Sequence, residues 1–190
     1  MKKILLIILM FTIFLNAGIT LPDNFESNFK QTITNDKGKV IKYSGRVYFK
    51  ADRETFLNEF NQPEVLSSKL FKWIYSSPTK KDVCSDGTQI IIIDHDLEQI
   101  SKYLIDDGLD LEKVLNVAKK ISNKDYKAVY KNIEYLITLD RNNHLSKIFY
   151  VDSLDNRVKI LFLNMKYDNP RFNSSNLECP ENPNYDVIEE

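Results

Sequence analysis

Ile133-Glu-Tyr-Leu-Ile-Thr-Leu139, Leu145-Ser-Lys-Ile-Phe-Tyr-Val151 and Val158-Lys-Ile-Leu-Phe-Leu-Asn-Met165 are three apolar-rich runs separated by Asp140-Arg-Asn-Asn143 and by Leu154-Asp-Asn156. Asn and Asp hydrogen-bond their own backbone and tolerate left-handed conformations, so the separators read as turns. The runs carry the β-branched and aromatic residues that suit a pleated surface. Together they predict a three-strand antiparallel meander. Toward the N-terminus the same alternation recurs: Val47 and Phe49 against Arg46, Tyr48 and Lys50, then Phe71, Trp73 and Tyr75 against Lys72 and Ser76. After a Ser85-Asp86-Gly87 turn, four consecutive isoleucines, Ile90 to Ile93, demand cover on both faces of one strand. The chain is therefore mainly β.

Two segments break the pattern. Leu111, Val114, Leu115, Ala118 and Ile121 recur at helical spacing and predict an amphipathic helix between Asp110 and Ser122 that lies across the sheet. Phe56, Leu57 and Phe60 share a face in a second expected helix, Arg53 to Phe60, ending before Gln62-Pro63. Phe25, Phe29 and Ile33 are spaced by four, which suits a helix face and a strand face equally. From Pro170 to Pro183 the chain is rich in Asn, Ser and Pro and is expected to run irregularly over the surface.

At the N-terminus Lys2 and Lys3 precede an apolar run, Ile4 to Leu15, that closes on Asn16-Ala17-Gly18. This is the pattern of a secretory signal peptide, residues 1–17, cleaved after Ala17 to leave residues 18–190 as one domain. No cysteine follows the cleavage point to accept a lipid anchor, so the expected product is a soluble exported protein. Lysine plus arginine number 26 against 27 aspartate plus glutamate, which leaves no net field to attract nucleic acid or an anionic membrane. Cys84 and Cys179 are the only cysteines. In an oxidising compartment they read as a disulfide tying the tail to the middle of the fold, with two free thiols as the alternative.

No constellation for catalysis stands out. His95 lies between Asp94 and Asp96, but neighbours on a strand point to opposite faces and do not converge on one ion. Asp106, Asp107 and Asp110 lack the spacing of a calcium loop and read as a helix start. No metal, no cofactor and no enzymatic activity are expected. What remains is large apolar side chains on strands beneath a helix. Composition alone favours a filled core; the physical alternative is a container for lipid.

A family likeness tips that balance. Phe25-Glu-Ser-Asn-Phe29-Lys-Gln31, Gly38, Gly45-Arg-Val47-Tyr-Phe49-Lys50, Phe71-Lys-Trp73, Pro78, Val83-Cys-Ser85-Asp86-Gly87, Asp96-Leu-Glu-Gln99 and the ending Pro183-Asn-Tyr185-Asp186-Val187-Ile188 follow one another in the order of the periplasmic outer-membrane lipoprotein carriers. The chain resembles the LolA family over nearly its whole length after the signal. The resemblance implies an unclosed antiparallel β-barrel, a half-barrel with a helical lid, enclosing an apolar cavity. It also implies a periplasmic chaperone for protein transport and outer-membrane biogenesis. Its partners would be acylated lipoproteins, an inner-membrane lipoprotein-release transporter and an outer-membrane lipoprotein receptor, and a monomer is expected. A periplasmic lipid-binding or lipoprotein-sensing module of the same fold is the alternative.

The family ties its lid with an arginine placed shortly before the Phe-x-Trp element. Here Lys50-Ala51-Asp52-Arg53 is followed by an insertion running to Lys69, and Arg53 is the expected latch. Strand alternation selects Val47, Phe49, Phe71, Trp73, Ile91, Ile93, Ile137, Phe149 and Phe162 as the lipid-binding set, subject to a face flip wherever the register shifts by one.

Overall fold

The computed structural model describes residues 18–85, 88–104 and 111–189, with side chains at all of these except 52–54 and 65–68. The expected signal peptide and the Asp106–Asp110 acidic cluster lie outside the described residues. The twelve strands are β1 Asn24–Thr34, β2 Val40–Leu57, β3 Pro63–Ser77, β4 Lys81–Ser85, β5 Gln89–Asp94, β6 Gln99–Leu104, β7 Lys119–Lys120, β8 Asp125–Tyr130, β9 Ile133–Leu139, β10 Leu145–Val151, β11 Arg157–Tyr167 and β12 Asp186–Glu189. Among the described residues an α-helix, α1 Leu111–Asn116, interrupts them. All twelve form a single sheet in the order β12-β6-β5-β4-β3-β2-β1-β11-β10-β9-β8-β7, antiparallel except for the β12–β6 pair. β7 and β12 are its two edges, so the sheet is open rather than closed into a barrel. β1 pairs with both β2 and β11 and so joins the two halves.

Four hairpins turn by one device. An Asn or Asp opens the turn, the residue three positions on takes positive φ, and the next residue pairs back to the opener. These are Asn35 with Gly38, Asn58 with Asn61, Asp140 with Asn143 and Asp152 with Asp155. In each, the opener's side-chain oxygen accepts backbone N–H groups from within the turn: Lys39 for Asn35, Phe60 and Gln62 for Asn58, Asn142 and His144 for Asp140, and Leu154 and Asn156 for Asp152. A type I turn followed by a left-handed residue matches the twist of the flanking strands. The β9–β10–β11 meander stands where the sequence placed it.

Three expectations are corrected. Arg53 to Phe60 is not helical: β2 continues to Leu57 and pairs with β3 as far as Leu57–Pro63. The Phe56, Leu57, Phe60 spacing fits a helix face, but the Asn58 turn and the cross-strand ladder satisfy the backbone better here. The helix is also shorter than Asp110–Ser122. It ends at Asn116, after which Lys119 and Lys120 pair with Lys127 and Tyr126 and leave Ile121 58% exposed. Finally, the tail is partly ordered. A 3₁₀ turn, Ser174–Leu177, capped by Asn173, buries Leu177 before β12 adds to the sheet.

The sheet separates two apolar layers. On one face, the lid face, α1 and the segment around Ile19 and Leu21 cover Phe25, Phe29, Val47, Phe49, Ile137, Ile148, Ile160 and Phe162. On the other, the tail face, Ile91, Ile93 and Ile100 pack beneath Cys179 and Tyr185. The four-isoleucine strand buries Ile91 and Ile93 on the tail face, whereas Ile90 and Ile92 on the other face are only half-buried. A disulfide joins Cys84 to Cys179 with Cα atoms 6.3 Å apart. Beside it the buried Lys72 donates to the Glu178 carbonyl at 2.8 Å and pairs with Asp82 at 3.0 Å.

Candidate functional site: the aromatic face beneath α1

Residues from six adjacent strands, β3 through β9 in the sheet order, line up under the lid. Phe29 meets Trp73 edge-on with ring centres 4.8 Å apart and Tyr75 at 5.0 Å; Trp73 approaches Phe162 at 6.0 Å; Phe25 stacks on Phe49 at 5.1 Å. Further along the same face Tyr135 and Tyr150 lie 5.1 Å apart. Burial pushes the Tyr75 and Tyr150 phenols up to about 12, with neighbouring phenols adding to the shift. Both are neutral at physiological pH, so the face carries no charge from them. Gly45 makes the ring cluster possible, because a Cβ there would stand 1.8 Å from the Ile74 carbonyl oxygen and 3.0 Å from the Phe29 ring.

The cover is slight. α1 has six residues, too few to hold a helix in water by itself. Its hold on the sheet comes from Val114 and Leu115, both 0% exposed, which at roughly 1.5–3 kcal/mol each supply about 3–6 kcal/mol. Two polar ties supplement them. Ile19 donates its N–H to the Leu115 carbonyl at 3.0 Å, and Lys69 in β3 forms an ion pair with Glu112 in the first turn of α1. Gly18 fits against the end of the helix only because it lacks a side chain; a Cβ there would lie 2.1 Å from the Asn116 oxygen.

Of the expected lipid-binding set, Val47, Phe49, Phe71, Trp73, Ile137 and Phe162 stand on the lid face. Ile91 and Ile93 stand on the tail face. Their register partners show why: Ile91 is opposite Cys84, which the disulfide turns toward the tail, whereas Ile90 and Ile92 are opposite Ser85 and Val83 and share the face of Phe71 and Trp73. Phe149 also misses the lid face. A register shift between Leu145 and Lys147 inverts the alternation, so Ile148 and Tyr150 point inward instead. Arg53 lies in β2 opposite Ser67, and its side chain is outside the described residues. Phe25, Phe29 and Tyr75 are marked by the sequence spacing but stand outside the expected lipid-binding set, and the Lys69–Glu112 pair has no sign in the sequence.

On the lid face Phe25 and Phe29 are buried, and Trp73 and Tyr75 are partly buried against them. Two clefts lie elsewhere and are lined mainly by polar groups: one of about 270 Å³ beside Glu26, Arg46, Tyr48 and Lys166, the other of about 340 Å³ among the hairpin turns at Asn35 and Asp155. His95 contacts the Tyr185 hydroxyl at 3.3 Å and lies 3.8 Å from Asp82 on the tail face, away from the aromatic cluster. Among the described residues, no three His, Cys, Asp or Glu side chains converge as metal ligands, and no helix is long and apolar enough to cross a membrane.

No protein-family model matches the chain. It is 31% identical to the outer-membrane lipoprotein carrier protein of Campylobacter jejuni over 99% of both chains. Against the protein of the same name from Wolinella succinogenes it is 30% identical over 74% of this chain and 73% of the relative. Among solved structures, a LolA superfamily protein from Nitrosomonas europaea aligns with a TM-score of 0.46 at 8% identity, covering 83% of this chain and 91% of the other.

Proposed function

This chain belongs to the outer-membrane lipoprotein carrier family, LolA, and on that premise we propose that it shields the acyl chains of lipoproteins on the aromatic face beneath α1 and carries them through the periplasm. The observation that supports this reading is the pairing of a broad, uncharged aromatic layer with a cover worth only a few kcal/mol. A methylene moved out of water gains roughly 0.8 kcal/mol, so about eight methylenes match the hold of Val114 and Leu115. One fatty chain of ordinary length therefore displaces the lid and takes its place against the rings, with energy to spare for rotating Phe29, Trp73 and Phe162. Return of the lid helps to expel the chain at the destination, so loading and release need no chemistry in the carrier and no cofactor.

In this reading cleavage after Ala17 frees residues 18–190 into the periplasm as a monomer. An inner-membrane transporter hands over the acylated lipoprotein and an outer-membrane receptor takes it. Depleting the protein in its host is expected to make outer-membrane lipoproteins accumulate at the inner membrane. Mass spectrometry of material co-purifying from native periplasm is expected to find acylated lipoproteins. Finding free phospholipid alone, with lipoprotein sorting intact after depletion, would instead support a general lipid-binding module.

A further inference from the structure

The β2–β3 hairpin outgrows the sheet. β1 pairs with β2 only up to Lys50, and β4 pairs with β3 only from Phe71 onward; Ala51 still bonds Asp23 and Lys69 pairs with Glu112 at the base, but beyond them Asp52–Leu57 and Pro63–Ser68 form a two-stranded ribbon flanked by no further strand among the described residues. At about 3.3 Å per residue it reaches roughly 20 Å beyond the sheet. Its end is apolar where water should favour polar groups: Phe56 is 46% exposed, Leu57 62% and Phe60 78%. The turn that presents them is closed on itself. Asn58 Oδ1 accepts the N–H groups of Phe60 and Gln62, each at 3.0 Å, while Asn58 N–H donates to the Gln62 carbonyl and Asn61 N–H to the Asn58 carbonyl.

From these observations we propose that the ribbon end is a membrane-docking element that inserts Phe56, Leu57 and Phe60 into the interface of a zwitterionic phospholipid surface. Entering a region poor in water is costly for a backbone with free donors, and the turn satisfies the N–H groups of Asn58, Phe60, Asn61 and Gln62 within itself. The end is a convex wedge rather than a pocket, with aromatic and leucine side chains of the kind that settle at the acyl–headgroup boundary. Charge selects the surface. Between Thr55 and Glu64 there is no lysine or arginine, while the carboxylates of Glu59 and Glu64 are exposed. These complement headgroup ammonium groups and repel a surface of net negative charge. Docking itself does not depend on the carrier function; its use, bringing the lid face to a bilayer for loading or delivery, rests on that reading.

The test is flotation of the purified exported protein with vesicles of phosphatidylcholine and phosphatidylethanolamine, with and without phosphatidylglycerol. The expected result is co-flotation with the zwitterionic vesicles, weakened as phosphatidylglycerol is added, and at least about tenfold weaker for F56S/L57S/F60S. All three side chains are exposed, so the triple variant should keep its fold; circular dichroism checks this. As a second readout, Phe60→Trp should add a fluorescence component that shifts to shorter wavelength on mixing with the vesicles. No flotation with any vesicle, equal flotation of the triple variant, or preference for anionic vesicles would overturn the proposal, the first being expected if the wedge fits a protein pocket instead. Retained cargo binding in the triple variant would separate a failure of docking from a failure of the carrier reading.

Discussion

Gly45 is the residue on which the aromatic layer turns. Gly45→Ala places a Cβ against the Ile74 carbonyl and the Phe29 ring. It is expected to destabilise the fold by roughly 2–4 kcal/mol in urea denaturation, with altered near-ultraviolet dichroism from Trp73. Tyr75 and Tyr150 predict an alkaline transition. Their folded values, about 12, lie above the ordinary phenol value of 10.0. The stability they confer is complete below pH 10 and is lost as pH rises toward 12, by roughly 2 kcal/mol for each. Denaturation midpoints against pH should fall in that window, and Tyr75→Phe with Tyr150→Phe should flatten the fall. At this scale the sequence was readable wherever a polar neighbour set the phase, as Arg46, Tyr48 and Lys50 do for Val47 and Phe49. It was not readable in Ile90–Ile93, where no polar residue marks a face and the disulfide at Cys84 decides. Nor was it at Phe149, where an irregularity between Leu145 and Lys147 inverts the count.

The elements repeat the lesson. The Asp140…Asn143 spacing that marked the β9–β10 turn also occurs at Asn58…Asn61, and it was the available sign that Arg53–Phe60 belongs to a hairpin; the apolar spacing of Phe56 and Phe60 pointed the other way. Asn58→Ala removes an acceptor used by two backbone N–H groups. It should cost the ribbon about 1 kcal/mol, seen as faster hydrogen exchange at Phe60 and Gln62 with the rest of the sheet unchanged. The lid was legible as a helix but not in length, because Ala118 and Ile121 keep helical spacing while the backbone of Lys119 to Ile121 bonds to β8. Its polar tie to β3, Lys69 with Glu112, is partly exposed and should contribute at most about 1 kcal/mol. Lys69→Gln is therefore expected to speed hydrogen exchange in Leu111–Asn116 without a measurable change in global stability.

Across the whole molecule, an open sheet with one face under a small lid and the other under a disulfide-bound tail divides the work. The tail face carries a covalent tie between the sheet and the C-terminal segment. Reducing the Cys84–Cys179 bond should lower stability by roughly 2–4 kcal/mol and free the segment beyond Leu177, measured by denaturation and by proteolysis near the C-terminus. On the carrier reading, the lid face, covered by α1 and the segment around Ile19 and Leu21, is the part that exchanges its cover for a guest. The open β-rich sheet was legible from strand alternation and family resemblance. That Phe29, Trp73 and Phe162 pack ring against ring there was not, since alternation reports which residues point inward and not how they fill the space. Trp73 is the only tryptophan and stands inside that ring cluster, which provides the most direct test. Its fluorescence should be titrated with a diacylated lipopeptide and, in parallel, with the same peptide lacking its acyl chains. The account predicts a saturable one-to-one change with the acylated peptide alone, and it is contradicted if Trp73 does not respond, or responds equally to both.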